Sequence, residues 1–157
     1  MGYIEDNLLP NEAIKYLAKL HWIIFLGPFI SFLFSLLLFS GGRESAQAGI
    51  GFFVISIVYG LLRFITFSTS EFGITNKRIV IKVGFIRRKT LELLLQKVET
   101  VGVKQGIIGR VLNYGNIVVV GTGSTREPFK RIANPLEFRK KVLNEIGNIT
   151  EVRLDKS

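Results

Sequence analysis

The chain has 157 residues, with 21 Lys and Arg against 12 Asp and Glu for a net charge of +9, one His and no Cys. A structural disulfide, a thiolate nucleophile and a Cys-ligated zinc or iron–sulfur site are therefore excluded. The Asp residues, Asp6 and Asp155, lie at the extreme ends, which leaves the body only Glu to ligate a magnesium or activate a water.

Charge is unevenly divided. Residues 1–66 carry four basic and four acidic groups, whereas residues 67–157 carry seventeen basic and eight acidic ones, so the second part holds the whole +9. An acidic partner or surface is expected beside it.

Residues 1–21 read as a separate N-terminal segment. From Trp22 to Phe39 the chain runs WIIFLGPFISFLFSLLLF without a charge. At about 1.5 Å per residue such a helix reaches about 27 Å, enough for a bilayer core. Gly27-Pro28 bends it, and Trp22, with His21 beside it, suits an interface. A second apolar stretch spans residues 46–66, interrupted only by Arg63, whose long stem can snorkel. The turn Gly41-Gly42-Arg43-Glu44 makes the two a transmembrane hairpin over residues 22–66. Ala46-Gln47-Ala48 also fits a signal-peptide cleavage site, but the segment before the apolar run carries three acids and lacks a short basic head.

The loop offers Arg43, and the other side Lys15, Lys19, Arg63, Lys77, Arg78 and Lys82. The positive-inside rule then places both termini in the cytoplasm. Ser31 and Ser35 on the first span, and Ser56 and Gly60 on the second, form small-xxx-small faces for close helix packing, within the hairpin or between copies.

Beyond residue 67 the pattern becomes strand-like. Ile79, Ile81 and Val83 alternate with Val80 and Lys82, a tight turn follows at Val83-Gly84-Phe85, and Phe85 to Lys89 reads as the return strand. Leu91, Leu93 and Leu95, then Val98, Val101 and Val103, then Ile117 to Val120 continue an antiparallel meander. A final helix opens at Asn134-Pro135 with Glu137 three residues past the cap, and Gly147 ends it. Leu136, Phe138, Val142, Leu143 and Ile146 give it an apolar face, with Arg139, Lys140 and Lys141 opposite. The expected architecture is an α+β domain over 67–147, a partly open antiparallel barrel capped by the C-terminal helix, with a polar tail at 148–157.

The residues Gln96-Lys97-Val98-Glu99-Thr100-Val101, Gly109-Arg110, Tyr114-Gly115, Gly121-Thr122-Gly123, and Ile132-Ala133-Asn134-Pro135 resemble the bacterial pleckstrin-homology-like family known as the membrane-flanked domain. Gly73-Ile74-Thr75-Asn76-Lys77-Arg78 is similar to that family's first-hairpin turn, and the adjoining pair of spans is also the family's habit. The resemblance implies this fold over about residues 68–146 and a bacterial inner-membrane protein.

Catalytic motifs are absent: there is no G-x-x-x-x-G-K-[ST], no G-x-S-x-G and no H-E-x-x-H. No enzyme activity, metal or cofactor is expected. Gly102, Gly106, Gly109 and Gly115 lack the Lys-Ser/Thr end of a phosphate loop and read as turn and packing positions. Asn148-Ile149-Thr150 matches a glycosylation acceptor on the side expected to be cytoplasmic and reads as chance.

Chemical direction comes from Lys82, Arg87, Arg88 and Lys89, which straddle the first hairpin. Eukaryotic pleckstrin-homology domains hold phosphoinositides with a Lys and a (Lys/Arg)-x-Arg there, but too few residues intervene here for a head-group cradle. Contact with an anionic leaflet, about 1 kcal/mol per cation, needs no such cradle. The absence of an exposed aromatic ladder argues against nucleic acid. The expected function is a membrane-anchored module whose domain docks a protein partner or a second copy against anionic lipid. Head-group sensing, and a small transporter or pore component assembled through the small-residue faces, are the alternatives.

Overall fold

In the computed structural model, residues 2–84, 89–122 and 125–154 are described. Residues Trp22–Thr69 form one unit, and the two flanks, up to His21 and from Ser70 onward, form another.

The apolar unit begins with a 3-10 turn, Trp22–Phe25, that runs into α1, Leu26–Phe39; α2 follows over Arg43–Thr69. Both stretches are long and apolar enough to cross a membrane. Positions rising along α1 meet positions falling along α2: Gly27 faces Tyr59, Pro28 faces Gly60, and Gly49 faces Ser35. The helices are thus antiparallel, with aromatic pairs Phe32–Phe53 at 5.8 Å, Phe34–Phe52 at 5.2 Å and Phe25–Phe67 at 5.5 Å between centroids. α2 starts at Arg43 and runs to Thr69, beyond the expected 46–66 on both sides.

The domain differs most from expectation at its start. Residues 2–21 are not a separate segment. A single helical turn, Tyr3–Asp6, precedes β1, Ile14–Ala18, and β1 pairs antiparallel with β2, Glu71–Thr75. The physical reason is burial: Ile4, Ala18 and Leu20 are core residues of the domain. Ile4 packs where a side chain on Gly73 of β2 would stand, its Cδ1 only 2.6 Å from the place of a Cβ. Both apolar helices are therefore an insertion between two neighbouring strands.

β3, Arg78–Val83, and β4, Lys89–Leu94, complete a sheet ordered β1-β2-β3-β4. The register pairs Ile79 with Leu93, Ile81 with Leu91 and Val83 with Lys89. This alignment puts apolar residue opposite apolar residue, and a one-residue slip would turn every side chain over; of the expected return strand Phe85 to Lys89, residues 85–88 lie outside the described residues. The second sheet, ordered β5-β6-β7, consists of Val98–Lys104, Tyr114–Gly121 and Thr125–Ala133. A short helix, α3, Ile107–Val111, connects its first two strands.

The sheets meet where the chain continues past β1: Leu20 bridges Ile132, His21 N–H donates to the Arg131 carbonyl at 2.7 Å, and Ala133 N–H donates to the Lys19 carbonyl at 3.0 Å. The domain thus has two antiparallel sheets joined at this point, and the described residues show no closure of the expected barrel.

The final helix, α4, opens at Pro135 as expected, with the Asn134 carbonyl accepting from Phe138 N–H at 3.1 Å. Phe138 and Val142 are fully buried. The helix does not stop at Gly147 but extends to Leu154, so the expected polar tail is helical over most of its length. Ile146, Ile149 and Thr150 line a recess of about 180 Å³ with Leu95, Gln96 and Val98, and packing of the helix on Leu95–Lys97 and β5 carries it through the glycine. A helical Gly costs about 1 kcal/mol, less than burying one large aliphatic side chain contributes.

Candidate functional site

The basic cluster is set by the β2–β3 ladder. Glu71 pairs with Lys82 and Val83 with Lys89, and Gly84 N–H donates to Ser70 Oγ at 3.2 Å. β3 thus ends and β4 begins at the end of the sheet where the chain arrives from Thr69. Arg87 and Arg88 lie outside the described residues. Lys82 is half-buried, and its ammonium stands 4.3 Å from the centroid of the Tyr3 ring. A cation–π contact of this kind holds the charge against the domain. Glu71, across the ladder, accepts the N–H groups of Tyr3 and Ile4 at 3.0 and 3.1 Å. Lys82 is therefore engaged within the fold in a way that its spacing from Arg87 does not reveal.

The turn at the other end of β2 and β3 has a structural task. Thr75 Oγ1 donates to Glu12 at 2.7 Å and accepts from Arg78 N–H at 3.0 Å. Asn76 Oδ1 accepts from Ala13 N–H at 2.9 Å, and Lys77 Nζ donates to the Pro10 carbonyl at 2.6 Å. Arg78 grips Glu12 bidentately, Nε to Oε1 at 2.9 Å and Nη2 to Oε2 at 3.0 Å, and also reaches the Asn7 carbonyl at 2.7 Å and the Glu92 carboxylate. All four side chains of Thr75-Asn76-Lys77-Arg78 clasp the loop that leads into β1.

Burial of Glu12 raises its carboxyl pKa, but the hydrogen bonds from Arg78, Leu9 N–H and Thr75 outweigh this and hold it below the usual Glu value. The hydrogen bond with Glu12 raises Arg78 against its own desolvation. Glu12 is the partner that sequence reasoning missed; the signal was an Arg in a tight turn with no acid nearby in sequence.

Among the small residues, Ser35 and Ser56 are buried and Ser31 and Gly60 half-buried in the apolar unit. Ser35 Oγ donates to the Phe32 carbonyl and Ser56 Oγ to the Phe53 carbonyl, each at 2.7 Å. These hydroxyls are satisfied within their own helices, so their contribution to packing is small size. Arg63 folds back one turn, Nη2 donating to the Tyr59 hydroxyl at 3.0 Å with the guanidinium 5.0 Å from the ring centroid.

His21, the last residue of the first flank, stacks at 5.1 Å on Tyr114. Burial lowers its pKa, opposed by a hydrogen bond with the Leu112 backbone. It is a packed residue of the domain as well as the neighbour of Trp22.

A family model described as bacterial PH domain matches residues 22–146. No curated protein and no solved structure matches the chain. The match takes in both apolar helices, all strands from β2 to β7 and most of α4, and begins after β1. Covering well over half of the sequence and agreeing with two antiparallel sheets followed by a C-terminal helix, it shows that the chain belongs to the bacterial PH domain family.

Proposed function

We infer that this is an integral membrane protein of the bacterial inner membrane, non-enzymatic, whose cytoplasmic PH-like domain docks protein partners or further copies of itself against the anionic membrane surface. The observation that carries the reading is the insertion of the apolar helices between β1 and β2. A domain built from both flanks needs both on one side of a bilayer, which two crossings satisfy. Large side chains such as Leu37, Ile55 and Phe64 are exposed on those helices, a surface suited to lipid rather than water.

The basic turn supports the second half of the reading. The chain leaves at His21 and returns at Ser70; Gly84 N–H reaches Ser70, and Val83 pairs with Lys89, so the described neighbours of the segment that carries Arg87 and Arg88 lie at that end of the sheet. With each cation near an anionic leaflet contributing about 1 kcal/mol, the turn orients a domain that the helices already hold at the surface. β4 and β5 end their sheets, and a strand edge is a common site of peptide capture.

The test is to reverse Arg87, Arg88 and Lys89 to Glu in the full chain and cross-link native membranes. The expected result is the same protein adducts as wild type, with detergent still required for extraction. Adducts lost on reversal would favour head-group sensing instead.

A further inference from the structure

We propose that α3 is a second, peripheral membrane contact, its apolar tip lying in the head-group interface of the bilayer that the two apolar helices cross; this rests on the anchoring read above. Ile107 is 86% exposed, Ile108 64% and Val111 79%, in one five-residue helix. Three large aliphatics presented this openly on a domain surface mark a contact site.

Two observations favour lipid as the occupant. The first is position. α3 runs directly into Leu112–Tyr114, and His21 stacks on Tyr114 and hydrogen-bonds with the Leu112 backbone. The tip therefore sits at the end of the domain from which the chain passes to Trp22 and the apolar helices. Trp22, the first residue of the apolar stretch, follows His21 directly in the chain.

The second is charge. From Thr100 to Arg126 there is no Asp or Glu, while Lys104 and Arg110 flank the tip. These two line a shallow recess with Gln105, Asn116 and Leu136, the last itself 57% exposed. Exposed aliphatic residues with cations and amides close by in the chain suit the boundary between acyl chains and anionic head groups, into which such a face sinks about 5–10 Å.

The chain has no cysteine, so single reporters are clean. An environment-sensitive fluorophore is attached at Ile108→Cys, at Glu99→Cys toward the other end of β5, and at Leu33→Cys within α1. The full chain is reconstituted in phosphatidylethanolamine–phosphatidylglycerol vesicles, with and without lipids carrying a shallow quencher. The expected result is blue-shifted, lipid-quenched emission at 33 and 108 and aqueous emission at 99. Quenching at 33 with aqueous emission at 108 overturns the proposal and leaves the anchoring standing. A blue shift at 108 without lipid quenching overturns it in favour of a protein interface. No quenching at 33 removes the anchoring and the proposal together.

Discussion

A fragment beginning at residue 68 and ending at 157 is expected not to fold, although the family resemblance covers almost all of it. Without residues 2–21, β2 loses its partner strand, and the core loses Ile4, Ala18 and Leu20, all nearly inaccessible in the intact domain. Burial of Ile4 and Leu20 contributes about 1.5–3 kcal/mol each. Stripping Glu12 from Arg78 removes about 3–5 kcal/mol more. Set against a domain stability of about 5–15 kcal/mol, these losses leave little or nothing. Joining residues 2–21 to 70–154 by a short Gly-Ser linker restores folding, because Ala18 and Phe72 are paired across the ladder at the cut. Circular dichroism with urea titration checks both: a cooperative transition for the linked protein and none for the fragment. Equal midpoints for the two would mean that β1 is dispensable.

Arg78→Met is the most damaging single substitution expected. The Glu12 side chain is wholly inaccessible, and Arg78 supplies its two charged hydrogen bonds. Breaking one partner out of a buried pair costs about 3–5 kcal/mol, and replacing both, as in Glu12→Leu with Arg78→Met, recovers part of this. The sign of the pH dependence follows from Glu12. Its pKa lies below the ordinary value of 4.5 in the folded state, so its contribution is complete above that value and is lost as pH falls through the lower, folded one. In the linked domain, urea midpoints of wild type and Glu12→Gln are therefore expected to differ most at neutral pH and to converge in acid. A difference that persists unchanged to low pH would contradict the charged pair.

What the sequence made legible is what has a local cause. Alternation along Ile79, Ile81 and Val83 marks β3, and Asn134-Pro135 marks the start of α4, because side-chain periodicity and a restricted backbone act within a few residues. β1 has no such cause; its partner lies beyond the whole apolar insertion, and of its five residues only Ala18 is buried, with Ile14 and Tyr16 half-buried. β7 fails for a different reason. A bulge between Gly115 and Ile117 of β6, with Arg131 at φ 60°, leaves Phe129 and Ile132 both buried three positions apart, which breaks the period of two. Gly147 reads as a helix end because its counterweight, packing of the helix on Leu95–Lys97 and β5, is remote in sequence.

The basic turn and the small-residue faces were legible as composition, but their surroundings were not. Lys82 is sequence-adjacent to a cluster expected to face lipid, yet the residue that receives its charge, Tyr3, is far away in the chain. The exposed tip of α3 gave no signal, since Ile107 and Ile108 are indistinguishable in sequence from core residues; only their lack of cover sets them apart.

The central claim is that one domain, assembled from both flanks, sits on the cytoplasmic side of a membrane crossed by the intervening hairpin. Labelling of Asp6→Cys, Glu44→Cys and Glu99→Cys variants with a membrane-impermeant maleimide, in intact cells and in inverted vesicles, tests it most directly. Position 44 is expected to react from outside, and positions 6 and 99 only in inverted vesicles. Reaction of 6 and 99 from opposite sides, or of 44 from the same side as both, would contradict it.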